Sequence, residues 1–409
     1  MQISLPLWAE EIEKVSFREL VPEIPSTNYA THGVFYYPAR FIPQVVRFAL
    51  RKWTKEGDWV IDPFAGAGTV AVECVLLGRN AFVADLNPIL KPPLEAKIPR
   101  NVPSDWSELL SKAQRLLESR KPFIPKWSRI SYWHPPEFFD ALSKMWGGYY
   151  EEPDPLILPA LLKTTRKFSF ADDQVPKLFK SRRKTREVEA MLARDWRSEM
   201  RAFFLKELAE DFARFKEFEK LLPSDPGDYF AFSGVDSLTC DLPQGLKATL
   251  LITSPPYGIA HEYIRSVKLE LAWLGYSDEE ITWLTKHEIP YNSPPQVEVN
   301  SPTYEAFKSN VPPRLRKFYH AYFKSVVAIL ERFSALLQPG GRLCLFIGEA
   351  SLGGTPIPIH RILREHFETK GFFFEKAFSD TIKARKLFKG RKNPSPDGIQ
   401  REILLILRR

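Results

Sequence analysis

The stretch DWVIDPFAGAGTVAVECVLLGRNAFVADLNP (58–88) decides the fold of this chain. Residues 58–62 form a short apolar run typical of a buried strand, and 69–79 has the apolar spacing of a helix closed by Gly78. Residues 80–88 have the pattern of a second strand that ends in an acid and a proline. A strand, a glycine-rich turn, a helix and a strand within about 30 residues make a βαβ unit. The sequence therefore predicts a parallel α/β sheet that starts here.

The turn between the first strand and its helix predicts a cofactor site. Gly66 and Gly68 lack side chains, so the backbone can turn tightly and approach a bound molecule closely. The turn is not a dinucleotide-binding GxGxxG loop because position 71 is Ala, and it lacks the lysine of a P-loop. Asp62 ends the first strand and can hold an ammonium group, whereas Asp85 ends the second and can accept hydrogen bonds from ribose hydroxyls. An amino-acid end and a ribose end together favour S-adenosylmethionine.

The same spacing rules predict further elements on both sides of this unit. The predicted helices lie at 43–53, 69–79, 106–120, 188–222, 316–337 and 358–370. The predicted strands lie at 58–62, 80–88, 228–234, 248–254, 342–348, 371–378 and 400–408. Segment 276–315 is rich in Pro, Asn and Ser and is expected to form loops. The sum is an α/β, doubly wound, Rossmann-like sheet with an antiparallel terminal strand and an inserted helical lobe.

A second candidate site is TSPPYG (253–258), directly after an apolar strand and therefore at a carboxyl end of the sheet, where such folds bind ligands. The exocyclic amine of a base is a poor nucleophile because its lone pair is delocalised into the ring. The Ser254 hydroxyl and the Pro255 carbonyl can accept hydrogen bonds from such an amine and localise its lone pair. Pro255 and Pro256 fix the turn, and Tyr257 can stack on a base taken out of its duplex. Taken alone, the tetrapeptide also fits an ordinary surface turn.

Composition limits the other classes. The 409 residues are 44% hydrophobic, which is enough for a large core and more than one lobe. Three distant cysteines without a CxxC pair support neither a disulfide framework nor a zinc site. No apolar run of about 18 residues occurs, and acids stand where a signal peptide would carry a basic start. We therefore expect a cytoplasmic protein with no metal and no membrane partner.

Three stretches together resemble the amino-methyltransferases that modify DNA at cytosine N4 or adenine N6: THGVFYYPARFIP (31–43), DPFAGAGT (62–69) and TSPPYG (253–258). The resemblance implies a Rossmann-like methyltransferase sheet, S-adenosylmethionine as cofactor and double-stranded DNA as substrate. The form TSPPY favours the N4-cytosine branch, because the adenine enzymes usually carry Asp or Asn where Ser254 stands. VDSL (235–238) resembles the segment that carries the family's adenine-contacting acid, here Asp236.

The resemblance also implies site residues and domains. The implied cofactor-binding residues are Tyr37, Pro38, Asp62, Pro63, Phe64, Gly66, Gly68, Thr69, Asp85, Asn87 and Asp236, and the implied catalytic residues are Ser254, Pro255, Pro256 and Tyr257. The expected domains are the N-terminal part of the catalytic domain with the cofactor loop (1–98), a helical insertion (99–225) and the C-terminal part of the catalytic domain with the SPPY motif (226–409). A cognate restriction endonuclease is a possible partner.

A net charge of +8 favours a polyanionic partner, and the excess is local. Residues 163–186 hold nine Lys or Arg against two Asp, and residues 376–392 hold seven against one. Six residues of these runs are candidate contacts to backbone phosphates: Lys180, Arg182, Arg183, Lys383, Arg385 and Lys386. A solvated charged face is an equally good explanation of each run. Base readout stays unassigned between the helical insertion and 276–315.

Two other function classes stay open. RNA guanine-N2 and adenine-N6 methyltransferases also use a PPY turn, although no appended RNA-binding domain is recognisable. A catalytically silent nucleic-acid-binding protein could keep the same scaffold. The intact Asp62, Asp85 and Ser254 count against that second alternative.

Overall fold

The computed structural model describes residues 12–37, 40–175, 177–257, 263–352, 355–381 and 401–409. The strands are β1 (Ile12–Lys14), β2 (Trp59–Asp62), β3 (Asn80–Asp85), β4 (Tyr229–Ser233), β5 (Ala248–Thr253), β6 (Leu337–Gly348), β7 (Ser351–Leu352), β8 (Thr355–Pro356), β9 (Phe373–Thr381) and β10 (Arg401–Arg408). The helices are α1 (Phe17–Leu20), α2 (Pro43–Trp53), α3 (Thr69–Leu76), α4 (Lys91–Lys97), α5 (Trp106–Glu118), α6 (Ile130–Trp133), α7 (Pro136–Glu151), α8 (Leu158–Lys167), α9 (Arg182–Leu192), α10 (Trp196–Leu221), α11 (Tyr263–Trp273), α12 (Asp278–Lys286), α13 (Pro302–Lys308), α14 (Pro313–Ser334) and α15 (Ile359–Glu368).

One sheet organises the molecule, with the strand order β1-β9-β10-β6-β5-β2-β3-β4 among the described residues. Strand β2 pairs in parallel with β3 and β5, β3 pairs in parallel with β4, and β5 pairs in parallel with β6. Strand β10 runs antiparallel to both of its neighbours, β6 and β9. The predicted fold class is confirmed. The antiparallel strand at the C-terminal end of the chain, β10, lies between β6 and β9.

Both faces of the sheet are covered, which is why its central strands are apolar throughout. Consecutive residues of a strand point to opposite faces, so Val60 packs in the hydrophobic cluster with α2 and α3, whereas Ile61 packs in the cluster with α14 and α15. Helix α3 is buried along its whole length. The predicted helix at 43–53 and the first βαβ unit are confirmed, with α3 ending before Gly78.

The described residues between 106 and 221 form helices α5 to α10, which pack around a separate hydrophobic cluster. Its largest wholly buried members include Trp146, Phe138, Phe204 and Phe215, and Trp273 of α11 also packs there. The helical character predicted for 106–120 and 188–222 is confirmed. Through α11, this cluster is tied to the segment that follows the serine–proline turn.

One expectation about secondary structure was wrong, and one strand was missed. Segment 276–315 contains α12, α13 and the start of α14 in place of a continuous loop. Ser277 caps α12 in a capping box with Glu280, and Ser301 caps α13 directly before Pro302. Serine and proline are preferred at the first positions of helices as well as in loops, so composition alone misassigned them. Strand β1, which pairs in parallel with β9, was not predicted.

None of the helices within the described residues combines the length and apolar content that crossing a bilayer requires. Over those same residues, no group of three or more His, Cys, Asp or Glu side chains is placed to hold a metal ion.

Candidate functional site

The glycine turn and the serine–proline turn meet in one cavity at the carboxyl edge of the sheet. Strands β2 and β5 are parallel neighbours, so the turn that follows each strand emerges on the same side. The predicted site residues that line this cavity are Tyr37, Phe64, Gly66, Asp85, Asn87, Asp236, Ser254, Pro255, Pro256 and Tyr257. A molecule in this cavity would contact both turns.

Asp85 binds the backbone of the glycine turn. Its carboxylate accepts hydrogen bonds from the backbone N–H of Gly66 (2.7 Å) and of Asn87 (2.7 Å). Burial raises the pKa of Asp85 to about 6 despite these two bonds. Gly66 has φ of +51°, and a Cβ there would lie 3.2 Å from the Tyr37 ring. The turn therefore needs glycine at this position, and its closeness to the cavity suits a ligand held near the backbone.

Asp62 lies just behind the cavity wall, where it connects the two turns. The Thr253 hydroxyl, one residue before Ser254, donates to the Asp62 carboxylate (2.6 Å), and the Phe64 N–H donates to the same oxygen (3.1 Å). Asp62 is 1% exposed, and burial raises its pKa to about 7. Unlike Asp85, Asp62 does not line the cavity.

The remaining predicted cofactor residues support the turn from behind. Gly68 has φ of +74° at the start of α3, where an added Cβ would lie 2.6 Å from Leu94. Thr69 donates from its hydroxyl to the Phe41 carbonyl (3.1 Å), and the Pro63 carbonyl accepts from the Ser237 hydroxyl (2.8 Å). Pro63, Gly68 and Thr69 are not among the residues that line the cavity. Pro38 lies outside the described residues.

Tyr37 closes one wall of the cavity. It receives a hydrogen bond from Asn87 Nδ2 (3.3 Å), and its ring stacks on Tyr263 of α11 with 6.3 Å between the ring centroids. The segment before Tyr37 is anchored by Glu73 of α3, which is wholly buried and binds Tyr29, Arg47 and His32. Tyr37 is therefore held at the cavity by Asn87 and by Tyr263 of α11, and the segment before it is tied to α3.

Asp236 lies on the opposite wall. Its side chain accepts from its own loop at Leu238 N (2.9 Å) and from the hydroxyl of Tyr291. Its neighbour Ser237 also lines the cavity. The loop after β4 is thus fixed to the turn after β2 and to the segment between α12 and α13.

The serine–proline turn is held by side chains from distant strands and helices. Ser254 Oγ and the Tyr257 hydroxyl lie 2.9 Å apart, and that hydroxyl donates to the carboxylate of Glu402 on β10 (3.2 Å). The Tyr322 hydroxyl of α14 donates to the Pro256 carbonyl (2.7 Å). Tyr257 is 7% exposed, and burial raises its pKa well above the usual value of a tyrosine. The phenol therefore keeps its proton at neutral pH.

Sequence reasoning missed part of the cavity wall. The additional lining residues are Arg40, Phe41, Ala65, Ala67, Leu86, Ser237, Tyr263, Ile264, His287, Glu288, Ile289, Tyr291 and Ile329. Four of them, His287 to Tyr291 without Pro290, belong to the segment that was expected to be a loop. His287 stacks on Trp283 at 4.2 Å between centroids, and Trp283 is 44% exposed. In the sequence, the only hint of this contact was Trp283 standing four residues before His287, at the end of the amphipathic helix α12.

The first basic run is only partly available for phosphate. Arg183 forms ion pairs with Asp172, Asp173 and Glu187. The Lys180 ammonium lies 3.5 Å from the centroid of the Phe170 ring, and burial lowers its pKa. Arg182 is exposed at the start of α9. Lys383, Arg385 and Lys386 lie outside the described residues.

Comparison with known proteins gives matches to DNA methyltransferases. A family model described as DNA methylase matches residues 8–91, which include the glycine turn. The type II methyltransferase M.MvaI of Kocuria varians is 24% identical over 281 residues, covering 63% of this chain and 60% of that protein. M.BsoBI of Geobacillus stearothermophilus is 25% identical over 363 residues, covering 79% of this chain and 65% of that protein. M.MjaII of Methanocaldococcus jannaschii is 36% identical over 83 residues, covering 19% of this chain and 16% of that protein.

The chain thus spans less than two thirds of the length of each of these relatives. The matches support a DNA amino-methyltransferase and do not separate the cytosine-N4 branch from the adenine-N6 branch. They imply S-adenosylmethionine as the methyl donor, in agreement with the cofactor predicted from the sequence.

Proposed function

We propose that this chain is a DNA methyltransferase that transfers the methyl group of S-adenosylmethionine to the exocyclic N4 amine of cytosine in double-stranded DNA. The observation that carries the proposal is the single cavity lined by both the glycine turn and the SPPY turn. The matches to a DNA methylase family and to type II methyltransferases agree with it. The sequence contributes the choice of cytosine, since Ser254 stands where the adenine enzymes usually carry Asp or Asn.

The cavity fits the cofactor in its donor set. Asp85 and Asp236 each present a carboxylate that can accept hydrogen bonds from ribose hydroxyls or an adenine amine. Asp62 is buried just behind the cavity wall and, when ionised, can supply a negative charge to an ammonium group. Gly66 leaves the backbone bare beside Tyr37. S-adenosylmethionine, when bound, supplies an activated methyl group whose sulfonium is a good leaving group.

The protein's contribution to transfer is to prepare the amine. Ser254 Oγ and the Pro255 carbonyl accept its N–H groups, so that its lone pair is localised on nitrogen and directed away from the ring. Because the leaving group is good and the nitrogen becomes acidic only as it is alkylated, its extra proton can pass to solvent after transfer and no strong general base is required. Tyr257 and the neighbouring aromatic residues of the cavity exclude water and provide a stacking surface for a base outside its duplex.

DNA must reach this cavity from the surface, and basic residues would hold its backbone. Arg182 is an exposed residue of the first run, and Lys383, Arg385 and Lys386 belong to the second run. Each phosphate contact that is lost should reduce the slope of log K against log salt by about 1. Neutralising these three residues of the second run should therefore flatten the salt dependence of DNA affinity, and an unchanged slope would remove them from the footprint.

Methylation of genomic DNA with labelled cofactor, followed by nucleoside analysis, tests the proposal. We expect N4-methylcytosine, and Ser254→Ala serves as the inactive control. Label in N6-methyladenine would keep the enzyme class and move it to the adenine branch. Label only in RNA would support an RNA base methyltransferase, and no label in either polymer would support a silent binding protein.

The names of the relatives also suggest a biological setting. M.MvaI and M.BsoBI are called type II methyltransferases, a class that belongs to restriction–modification systems. We propose that this chain protects DNA from a cognate restriction endonuclease. Digestion of methylated and unmethylated DNA by a nuclease encoded beside it would test that pairing.

A further inference from the structure

A row of hydrogen bonds leads from β10 to Ser254. Ser254 Oγ and the Tyr257 hydroxyl are 2.9 Å apart, and the Tyr257 hydroxyl donates to Glu402 Oε1 over 3.2 Å. Glu402 does not line the cavity, and the transfer chemistry described above gives it no part. Its contact with Tyr257 joins positions 145 residues apart in the chain.

The chemistry of the three groups sets the direction of both bonds. A carboxylate can only accept hydrogen bonds, whereas each hydroxyl has one hydrogen to donate. The Tyr257 phenol is buried and keeps its hydrogen, which goes to Glu402. In the 2.9 Å contact, the oxygen of Tyr257 is then the acceptor and Ser254 is the donor. The hydrogen of Ser254 is thereby committed to Tyr257.

We propose that Glu402 is a positioning residue that acts through Tyr257 to keep the Ser254 oxygen an acceptor for the amine of the target base. With its hydrogen turned to Tyr257, Ser254 directs its lone pairs elsewhere and can receive an N–H. In the reverse orientation, Tyr257 donates to Ser254 and the serine hydrogen is free to point at the amine, where it opposes the N–H. This inference rests on the proposed methyl transfer and assigns a residue outside both turns to it.

The backbone at Glu402 is held in place by the sheet, which suits a residue that positions another side chain. It lies on β10, between β6 and β9, with Gly348 and Asp380 as its Cα partners in the two neighbouring strands. A strand paired on both sides has its backbone held by two ladders of hydrogen bonds. Its side chain can therefore hold the phenol in place more rigidly than a loop residue could.

Two substitutions with side chains about as long as that of glutamate test the role of Glu402. Glu402→Met removes the acceptor, and Glu402→Gln keeps one in its amide oxygen. With saturating cofactor and DNA, we expect the single-turnover rate of Glu402→Met to fall about 10-fold, the size of a lost hydrogen bond to a charged group. Glu402→Gln should stay within about threefold of wild type. Dissociation constants for cofactor and DNA should not change in either variant.

A matched control separates this role from a general effect on the sheet. Glu375 on β9 forms an ion pair with Arg342 and does not line the cavity. Glu375→Met should therefore leave the single-turnover rate unchanged. A fall equal to that of Glu402→Met would overturn the proposal in favour of a merely structural effect.

A double-mutant cycle tests whether Glu402 acts through Tyr257. Tyr257→Phe removes the same bond from its other end and leaves β10 intact, so it applies even if Glu402→Met does not fold. It should lower the rate by about 10-fold or more. Adding Glu402→Gln or Glu402→Met to Tyr257→Phe should cause no further loss.

The outcomes distinguish this inference from the proposed function. Wild-type activity with an unaffected Glu402→Met variant would overturn the role of Glu402 and leave the methyltransferase standing. Independent, multiplying losses in the double variant would do the same. A wild-type protein that transfers no methyl group to any nucleic acid would overturn both.

Discussion

The two turns that form the site are built from different sources. In the glycine turn (62–69), two stabilising bonds are local: Asp85 binds Gly66 across 19 residues, and Asp62 binds Phe64 two residues away. Two others come from further along the chain, from Thr253 to Asp62 and from Ser237 to the Pro63 carbonyl. In the serine–proline turn (254–257), Tyr257 binds Glu402 across 145 residues and Pro256 binds Tyr322 across 66. The backbone of the glycine turn at Gly66 is held by its own βαβ unit, whereas the serine–proline turn is held at Pro256 and Tyr257 by distant elements.

From this difference we expect the glycine turn to control cofactor affinity and the serine–proline turn to control the rate of transfer. A ligand held by the backbone of the glycine turn and by Asp85 makes these contacts within one βαβ unit, so substitutions there should change affinity. A group that must orient lone pairs depends on side chains whose own positions are fixed by distant strands, so substitutions there should change rate.

Ser254→Ala should have the largest effect and confine it to rate. Methyl transfer at saturating cofactor should fall by about 100-fold or more, the scale seen when one preorganised polar partner of a reacting group is removed. The dissociation constant for S-adenosylmethionine, measured by calorimetry, should stay within about twofold. Ser334→Ala, at a buried serine of α14 that does not line the cavity, is the matched control. If Ser254→Ala weakened cofactor binding as much as it lowered the rate, the two turns would not have separate roles.

Asp85→Ala should give the converse result. It removes a carboxylate from the cavity and leaves the Gly66 and Asn87 N–H groups without their partner. We expect the cofactor dissociation constant to rise about 10- to 100-fold, as for a lost charge-assisted bond. Turnover should recover substantially at high cofactor concentration. A rate that stays low at saturation would assign Asp85 to catalysis.

Cofactor affinity should also depend on pH through the glycine turn. Burial raises the pKa of Asp85 to about 6 and that of Asp62 to about 7, so Asp62 is already partly protonated at neutral pH and Asp85 becomes protonated below it. A cofactor that needs the ionised forms should bind about tenfold more weakly at about pH 6 than at about pH 7.5, and binding should release protons in that window. Calorimetry in buffers of different ionisation enthalpy measures those protons, and Asp85→Asn should release fewer.

The same shifts have a stability consequence of opposite sign. Because both pKa values are raised above those of the unfolded chain, the folded protein binds more protons between about pH 4 and pH 7. Without cofactor, these two groups should therefore make the free energy of unfolding fall as pH rises through that range. Denaturant titrations of wild type and Asp85→Asn would measure it, and a smaller pH slope is expected in the variant.

Thr253→Val should give the smallest effect. It tests whether Thr253 acts with the glycine turn or with the serine–proline turn. Thr253 precedes Ser254 in the chain but donates to Asp62 of the other turn (2.6 Å). Loss of that bond destabilises the ionised Asp62, so cofactor affinity at neutral pH should fall about threefold with little change in rate. Thr249→Val, earlier on β5, is the control. A change in rate alone would place Thr253 with the serine–proline turn.

The βαβ unit, the parallel sheet and the two turns could be predicted from the sequence. Those features depend on residues close together in the chain: the period of apolar residues, the glycines with positive φ, and acids at strand ends. The sequence also indicated the helical character of 106–120 and 188–222, because their apolar stripes have helical spacing. Composition failed in 276–315, where Ser277 and Ser301 begin helices.

Only the tertiary structure brought the two turns to one cavity and supplied the rest of its wall. Tyr263, Glu288 and Tyr291 carry no motif, and they line the cavity because α11 and the segment after α12 fold back over the sheet edge. Glu402 is one acid in a strand of apolar residues, and nothing in its neighbours predicts a contact with Tyr257. The physical reason is that the pairing of β10 with β6 and β9 fixes its position, and such long-range register is not written in local spacing.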